Sequence, residues 1–140
     1  MSESPSPPFE MPVEPVLVVD DNAVNQLVTC EFLTTLGYAV ATADDGVSAL
    51  DRLASERFCA VLMDVQMPGM DGMEATEELR RREAAERRPR QLVIALTANA
   101  FEADRDRALA AGMDDFITKP VRLDQLAKTL ERHLGSKAVL

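Results

Sequence analysis

Five short runs rich in valine, isoleucine and leucine alternate along the chain with segments whose apolar residues recur at helical spacing. Most positions within the runs are apolar, which is typical of strands in a parallel sheet that helices cover on both faces. The predicted strands are residues 16–20, 38–42, 59–63, 92–96 and 115–118. The alternation therefore predicts a doubly wound α/β domain with a five-stranded parallel sheet.

Start and stop signals place helices between these strands. Asp45 and Asp71 suit the N-caps of the second and third helices, and Gly37 and Gly112 supply left-handed positions that end the first and fourth. The residues predicted to face the core are Val24, Leu27, Val28, Phe32 and Leu36 in the first helix, Val47, Leu50 and Leu53 in the second, Met73, Thr76 and Leu79 in the third, and Leu123, Leu126, Ala127, Leu130 and Leu134 in the last.

The two ends of the chain lack such periodicity. Residues 1–14 contain four prolines and indicate a flexible tail or linker, and residues 135–140 are expected to form a C-terminal tail. The 140 residues leave room for one folded domain, over residues 15–134. No apolar run approaches the roughly 18 residues that span a bilayer, and the N-terminus lacks a leader pattern. A cytoplasmic protein without membrane insertion is therefore expected.

The charge of the chain argues against direct binding of nucleic acid. With 15 basic and 24 acidic residues, the formal net charge is −9, which gives little attraction to phosphate backbones. The segment 80–90 is locally basic and is expected to be a solvated helix end and loop. Cys30 and Cys59 are expected to be buried reduced thiols, and His133 a surface residue.

Reactive side chains stand where the predicted strands end. Asp20 and Asp21 close the first run, Asp64 follows the third, Thr97 the fourth and Lys119 the fifth. Because the carboxyl ends of parallel strands meet at one edge of a sheet, we expect these side chains to lie close together in the crevice there.

Three crowded carboxylates repel one another, so a site built from Asp20, Asp21 and Asp64 requires a compensating cation. Mg²⁺ prefers oxygen ligands and commonly uses one or two carboxylates together with phosphate oxygens. A carboxylate that faces such an ion can be a nucleophile, which suits Asp64. Attack on a phosphohistidine would place negative charge on phosphoryl oxygens, which the Lys119 ammonium and the Thr97 hydroxyl can stabilise.

Four stretches occur in a characteristic order, VLVVDDNAVNQ, LMDVQMPGMDG, ALTANAF and AAGMDDFITKP. With them the chain resembles response-regulator receiver domains of two-component signalling over residues 15–134, especially those attached to hybrid histidine kinases. The resemblance implies a flavodoxin-like fold with strand order 2-1-3-4-5. It also implies a phosphoacceptor domain of a two-component system or phosphorelay, which catalyses only its own aspartyl phosphorylation and dephosphorylation.

Carried over position by position, the family pattern implies that Asp64 is the phosphoacceptor. It implies Asp21 as a direct ligand of Mg²⁺, for which Mn²⁺ can substitute, with Asp20 reaching the ion through water. The backbone carbonyl of Gln66 is implied as a further metal ligand.

The same pattern implies a switch made of Thr97 and Phe116. The Thr97 hydroxyl would move toward the phosphoryl group, and Phe116 would turn inward to fill the space that it vacates. Lys119 would pair with the phosphoryl group, aimed by a cis peptide bond to Pro120. Because Phe116 has no hydroxyl, its signal must pass through packing and shape.

The resemblance also implies two kinds of protein partner. A histidine kinase or a histidine phosphotransfer protein would donate the phosphoryl group. A downstream protein would read the surface formed by the fourth helix, the fifth strand and the fifth helix.

Other interpretations stay open at this point. Asp20 and Asp21 can be a helix N-cap pair, and the methionines 67, 70 and 73 can be packing residues. A phosphohydrolase would need a second acid at the position of Gln66, and a nucleotide-binding module would need a phosphate-binding loop where DDNAVN stands. A degenerate receiver that binds partners without phosphorylation is the third alternative.

Overall fold

The fold comes from a computed structural model, which describes residues 14–98 and 102–135. Strands and helices alternate throughout these residues. The elements are β1 (Val16–Val19), α1 (Ala23–Thr35), β2 (Val40–Ala43), α2 (Gly46–Ser55), β3 (Ala60–Asp64), α3 (Gly72–Glu86), β4 (Val93–Thr97), α4 (Glu102–Ala110), β5 (Asp115–Thr118) and α5 (Leu123–Leu134). The two expected tails lie outside the described residues, apart from Glu14 and Gly135.

The five strands form one parallel sheet in the order β2-β1-β3-β4-β5. This order confirms the predicted flavodoxin-like architecture. β1 and β3 are central neighbours, and Val19 pairs with Met63 in their register. The residues that end these two strands therefore emerge side by side at the carboxyl edge of the sheet.

Four of the five strands have boundaries that differ by one or two residues from the predicted ones, and β5 agrees. β2 begins at Val40 rather than Tyr38, because the N–H of Tyr38 donates to the carbonyl of Leu33 and so belongs to the end of α1. β3 and β4 run one residue further than predicted, to Asp64 and Thr97. These two site residues are therefore the last residues of hydrogen-bonded strands, which restricts their backbones more than a loop would.

Successive strand residues pack on opposite faces of the sheet and form two cores. One core includes Leu17, Val19, Val61 and Met63 with residues of α2, α3 and α4, and the other includes Val16, Val18 and Leu62 with residues of α1 and α5. No described helix combines the length and the apolar character needed to cross a membrane.

For the first half of α1, the prediction of which residues face the core is wrong. Val24, Leu27 and Val28 are 68%, 60% and 41% exposed, while Thr29 and Leu33 are buried. The side of α1 that faces the sheet carries Gln26 and Thr29. Because these side chains are polar, the spacing of apolar residues does not predict this side. α1 thus presents an apolar strip to solvent at the end nearest the carboxyl edge of the sheet.

In α2, α3 and α5, most of the predicted core residues near the middle of each helix are buried, and those nearest the ends are less so. Leu50, Leu53, Thr76 and Leu79 are buried in α2 and α3, as are Leu126 and Leu130 in α5. Val47 is 54% exposed, and Leu123 and Leu134 at the two ends of α5 are 37% and 38% exposed. The predicted N-caps are confirmed, since Asp45 accepts from the N–H of Ser48 and Asp71 forms a reciprocal capping box with Glu74.

The arginine-rich segment is not simply a solvated helix end. The Arg80 guanidinium donates to the carbonyls of Gly112 and Gln91 at 2.9 Å and to the carboxylates of Glu83 and Asp114 at 2.9 and 3.0 Å. It thereby joins the second half of α3 to the segments that precede β4 and β5. Sequence patterns within a helix relate residues three or four positions apart, so they do not predict partners that lie further away along the chain.

The two cysteines depart slightly from expectation, whereas His133 lies at the surface as predicted. Cys30 and Cys59 are free thiols, but both are half-buried rather than fully buried. His133 lies at an exposed position, where its Nε2 is 2.9 Å from Oδ2 of Asp115.

Candidate functional site

Three carboxylates converge at the carboxyl edge of the two central strands. Asp20, Asp21 and Asp64 each offer an oxygen atom within 4.8 Å of the others. Asp20 and Asp64 are 1% and 4% exposed, whereas Asp21 is open to solvent. The structure therefore brings together the acidic residues that the sequence singled out, in a cup with one open side.

The Asp20 side chain is held by backbone on one side and lacks a donor on the other. Its Oδ1 accepts the N–H of Asn22 at 2.9 Å. Its Oδ2 is buried without a hydrogen-bond partner among the described residues, although Nζ of Lys119 lies at an ion-pair distance of 3.4 Å. A buried anionic oxygen that lacks a donor is costly unless a cation completes its surroundings. This donor set fits a hard divalent cation such as Mg²⁺.

Asn22, and not Asp21, caps the N-terminus of α1, so the Asp21 carboxylate is not used by the helix. Asn22 is the N-cap, and its side chain accepts the N–H groups of Val24 and Asn25, both at 3.0 Å. The alternative in which Asp20 and Asp21 cap this helix is therefore wrong. Asp21 directs no hydrogen bond or ion pair to any other described residue, so its carboxylate is available to a ligand in the cup.

Asp64 sits between a backbone donor and an ammonium group. Its Oδ1 accepts the N–H of Gln66 at 3.0 Å, and its Oδ2 lies 3.1 Å from Nζ of Lys119. Burial raises the pKa of the Asp64 carboxyl above its usual range, although the Gln66 N–H and the Lys119 ammonium both act to lower it. A carboxyl whose pKa rises on folding costs stability once it ionises. Nucleophilic chemistry needs the ionised Asp64 carboxylate. A cation bound beside it would favour that form, because it offsets the cost of burying the negative charge.

The loop between β3 and α3 is fixed by close backbone approaches. A Cβ atom on Gly72 would overlap the carbonyl oxygen of Asp64 and lie 2.8 Å from Cγ of Met63. A Cβ atom on Gly46 would lie 2.8 Å from the carbonyl oxygen of Met70. Met67 is buried in the same core, which supports the interpretation of the loop methionines as packing residues. Gln66 is therefore carried on a tightly packed loop.

Thr97 and Phe116 lie on β4 and β5, the strands on the side of β3 away from β1. Thr97 is buried at the last position of β4, and its carbonyl accepts the N–H of Lys119 at 2.7 Å. The Lys119–Pro120 peptide bond is cis. Phe116 is half-buried, and the guanidinium carbon of Arg105 lies 5.1 Å from the centre of its ring. This distance is a cation–π contact between α4 and β5.

Three polar residues of the β1–α1 region have no predicted role, although they stand in the stretch VLVVDDNAVNQ. Asn22 and Asn25 line the cleft above the acids, and the Gln26 amide contacts the carbonyl of Asp20. Their sequence signal is the set of polar positions 22, 25 and 26 at the start of a helix whose neighbouring residues 23, 24, 27 and 28 are apolar. A search for apolar periodicity discards that signal.

Comparison with known proteins places these observations in a family. The family model described as the response regulator receiver domain matches residues 16–131. Sensor protein GacS of Pseudomonas syringae pv. syringae is 40% identical over 129 residues, which cover 92% of this chain but 14% of GacS. The chain thus spans a small part of the length of such curated relatives.

Two solved structures show the same fold in receiver domains. The receiver domain of sensor histidine kinase PA1611 from Pseudomonas aeruginosa PAO1, with magnesium coordinated in its active site cleft, is 42% identical with a TM-score of 0.77, over 89% of this chain and all of that one. The receiver domain of Saccharomyces cerevisiae Ssk1, in complex with the histidine phosphotransfer protein Ypd1, is 30% identical with a TM-score of 0.80, over 92% of this chain and 94% of that one. Relatives within histidine kinases confirm the resemblance stated from the motifs.

We predict that Mg²⁺ stabilises the natural chain against heat. A ligand that binds only the folded state at ten times its Kd adds about 1.4 kcal/mol, which for a domain of this size raises Tm by about 4 to 6 °C. Asp21→Asn removes a ligand and relieves repulsion, so this variant should start from a higher Tm without Mg²⁺ and gain little with it. Scanning calorimetry with Mg²⁺ or EDTA measures both quantities. Equal Mg²⁺-induced gains in the two proteins would place the ion elsewhere.

Proposed function

The chain belongs to the response regulator receiver domain family, and from that premise we propose that it takes a phosphoryl group from a phosphohistidine onto Asp64. Receiver domains are parts of two-component and phosphorelay signalling proteins. The observation that carries the proposal is the position of the Asp64 carboxylate, 4% exposed at the base of the cup and 3.1 Å from the Lys119 ammonium.

In the proposed step, a carboxylate oxygen of Asp64 attacks the phosphorus atom of the donor. An acyl phosphate O–P bond forms as the N–P bond breaks, and the electron pair returns to the ring nitrogen of the histidine. With the other ring nitrogen of the phosphohistidine protonated beforehand, the side chain leaves as neutral imidazole. The Lys119 ammonium, already an ion partner of Asp64, neutralises part of the charge on the phosphoryl oxygens. The Thr97 hydroxyl would donate to one of those oxygens.

Asp20, Asp21, Asp64 and the backbone carbonyl of Gln66 would hold the Mg²⁺ ion that this chemistry needs. When bound, the ion neutralises the charge of the acids and of the incoming phosphoryl oxygens, and Mn²⁺ can substitute for it. The support lies in the acidic cup, in the buried Oδ2 of Asp20 and in the magnesium held by the related PA1611 receiver.

Phosphorylation would then be read as a change of shape around Thr97 and Phe116. A hydroxyl drawn toward the phosphoryl group vacates space beside β5, and the half-buried Phe116 ring can fill it by turning inward. That movement would break the contact between the ring and the Arg105 guanidinium. The surface formed by α4, β5 and α5 is where we propose that a downstream protein detects the change.

The residue two positions after Asp64 argues against turnover of outside substrates. A phosphohydrolase of this chemistry needs a general acid near the nucleophile, and Gln66 at that position cannot donate a proton to a leaving group. Gln66 instead uses its backbone N–H to hold Asp64. We therefore propose a signalling domain that phosphorylates and dephosphorylates only itself.

The exposed strip on α1 suits the docking of the phosphohistidine donor. Because Asp64 is almost fully buried, the histidine of a donor must enter the cleft, and the surrounding protein surface must cover the rim. Asn25 lines that cleft, and Val24, Leu27 and Val28 lie exposed on the same helix. We propose that these three residues contact the donor, as an apolar patch continuous with the site.

Incubation with acetyl phosphate and Mg²⁺ tests the acceptor directly. Intact-mass measurement should show one added phosphoryl group on the natural chain, none on Asp64→Asn and none in EDTA, because both the carboxylate and the cation are required. Equal labelling of Asp64→Asn would move the acceptor to another residue. Release of phosphate over many turnovers would favour the phosphohydrolase alternative.

Substitution on α1 tests the donor surface. Leu27→Asp should slow transfer from a phosphorylated histidine phosphotransfer protein by about tenfold, because it places a charge in an apolar contact worth over 1 kcal/mol. Labelling by acetyl phosphate should be unchanged, since this small donor needs no docking surface. Val47→Asp, a substitution at a similarly exposed valine of α2, is the matched control. Equal rates for Leu27→Asp and the control would remove α1 from the donor interface.

A further inference from the structure

The side-chain amide of Gln26 connects the ends of the two neighbouring strands β1 and β2. Its Nε2 lies 3.1 Å from the carbonyl oxygen of Asp20, 3.1 Å from that of Ala43 and 3.2 Å from Oδ1 of Asp44. All three partners are oxygen atoms, so only the nitrogen of the amide can face them. Gln26 is therefore a donor fixed in one orientation at the rim of the acidic cup.

The contact with Asp20 acts on the backbone that leads into Asp21. The Asp20 carbonyl belongs to the peptide unit that joins these two residues, so a donor that holds this oxygen restricts the rotation of that unit. The N–H of Asp20 is held as well, by the carbonyl of Ala43 at 3.2 Å. Gln26 and the sheet together therefore fix the backbone on both sides of Asp20.

Asp21 depends on this backbone more than the other two acids do. Asp20 is held through its Oδ1, and Asp64 is held through the N–H of Gln66 and the ammonium of Lys119. Asp21 has no such side-chain contact with another described residue. Its carboxylate comes within 4.8 Å of the others only because its backbone directs it there.

We infer that Gln26 is a positioning residue for the cation site, which it serves by holding the Asp20–Asp21 peptide so that the Asp21 carboxylate faces Asp20 and Asp64. This inference rests on the proposed function in one respect, namely that Mg²⁺ binds in the cup. Through Asp44, the same amide also joins the loop after β2 to the rim of the site. The outer partners of metal ligands commonly control metal affinity in this way.

A purely structural role for Gln26 predicts a different result. Loss of two hydrogen bonds to carbonyl groups would then lower the stability of the fold, as it would anywhere in the protein. The affinity for Mg²⁺ would be unchanged in the protein that remains folded. Affinity and stability must therefore be measured separately.

Titration calorimetry of the full chain with MgCl₂, well below the unfolding temperature, separates the two roles. Gln26→Met keeps the length of the side chain but has no donor, and it should raise the Kd for Mg²⁺ by about tenfold. Gln26→Asn keeps the amide on a shorter stem and should also weaken binding, which provides a milder variant if Gln26→Met fails to fold. Thr129→Val is the stability control, because it removes a buried hydroxyl that donates to the carbonyl of Gln125 on α5.

The control should lower Tm and leave the Kd unchanged. A lowered Tm with an unchanged Kd in both Gln26 variants would overturn the inference and leave the proposed function intact. Failure of the natural chain to bind Mg²⁺ would overturn both. Weaker binding in the Gln26 variants, with the natural affinity in Thr129→Val, is the result that the inference requires.

Discussion

Repulsion among three carboxylates is the constraint on which the rest of the site depends. Asp20 and Asp64 are buried at the ends of adjacent central strands. Because Val19 pairs with Met63 in the sheet, the backbones of these two acids are held side by side. Lys119 is near both, at 3.4 and 3.1 Å, but one ammonium cannot balance three negative charges. The fold therefore holds an excess of negative charge in the cup, which favours the binding of a cation.

The surroundings of this cup differ between its two sides. On one side, Gly72 and Gly46 allow backbone segments to approach without a gap, and the Gln26 amide holds the ends of β1 and β2. On the other side lie Thr97, buried at the end of β4, and Phe116, half-buried on β5. In the proposed function, these two side chains would take up a second arrangement when Asp64 carries a phosphoryl group, which is what a two-state signal requires.

The sequence predicts the sheet and the acidic site well, because strand ends in a parallel sheet meet at one edge whatever the details of packing. It does not predict which side of α1 faces the sheet, because polar Gln26 and Thr29 occupy inward positions while Val24 and Leu27 face solvent. The partners of Arg80 are equally hidden, since Gly112 and Asp114 come near only when the chain is folded. Local patterns show which residue types are available, and tertiary contacts decide how they are used.

The central claim is that the three acids form a single cation site at the carboxyl edge of β1 and β3. Anomalous scattering from crystals grown with Mn²⁺ tests it most directly, because the position of the ion is observed without reference to activity. The account predicts one strong peak in the cup, bound by carboxylate oxygens of Asp21 and Asp64. A peak at another surface, or an empty cup in crystals that hold Mn²⁺ elsewhere, would contradict it.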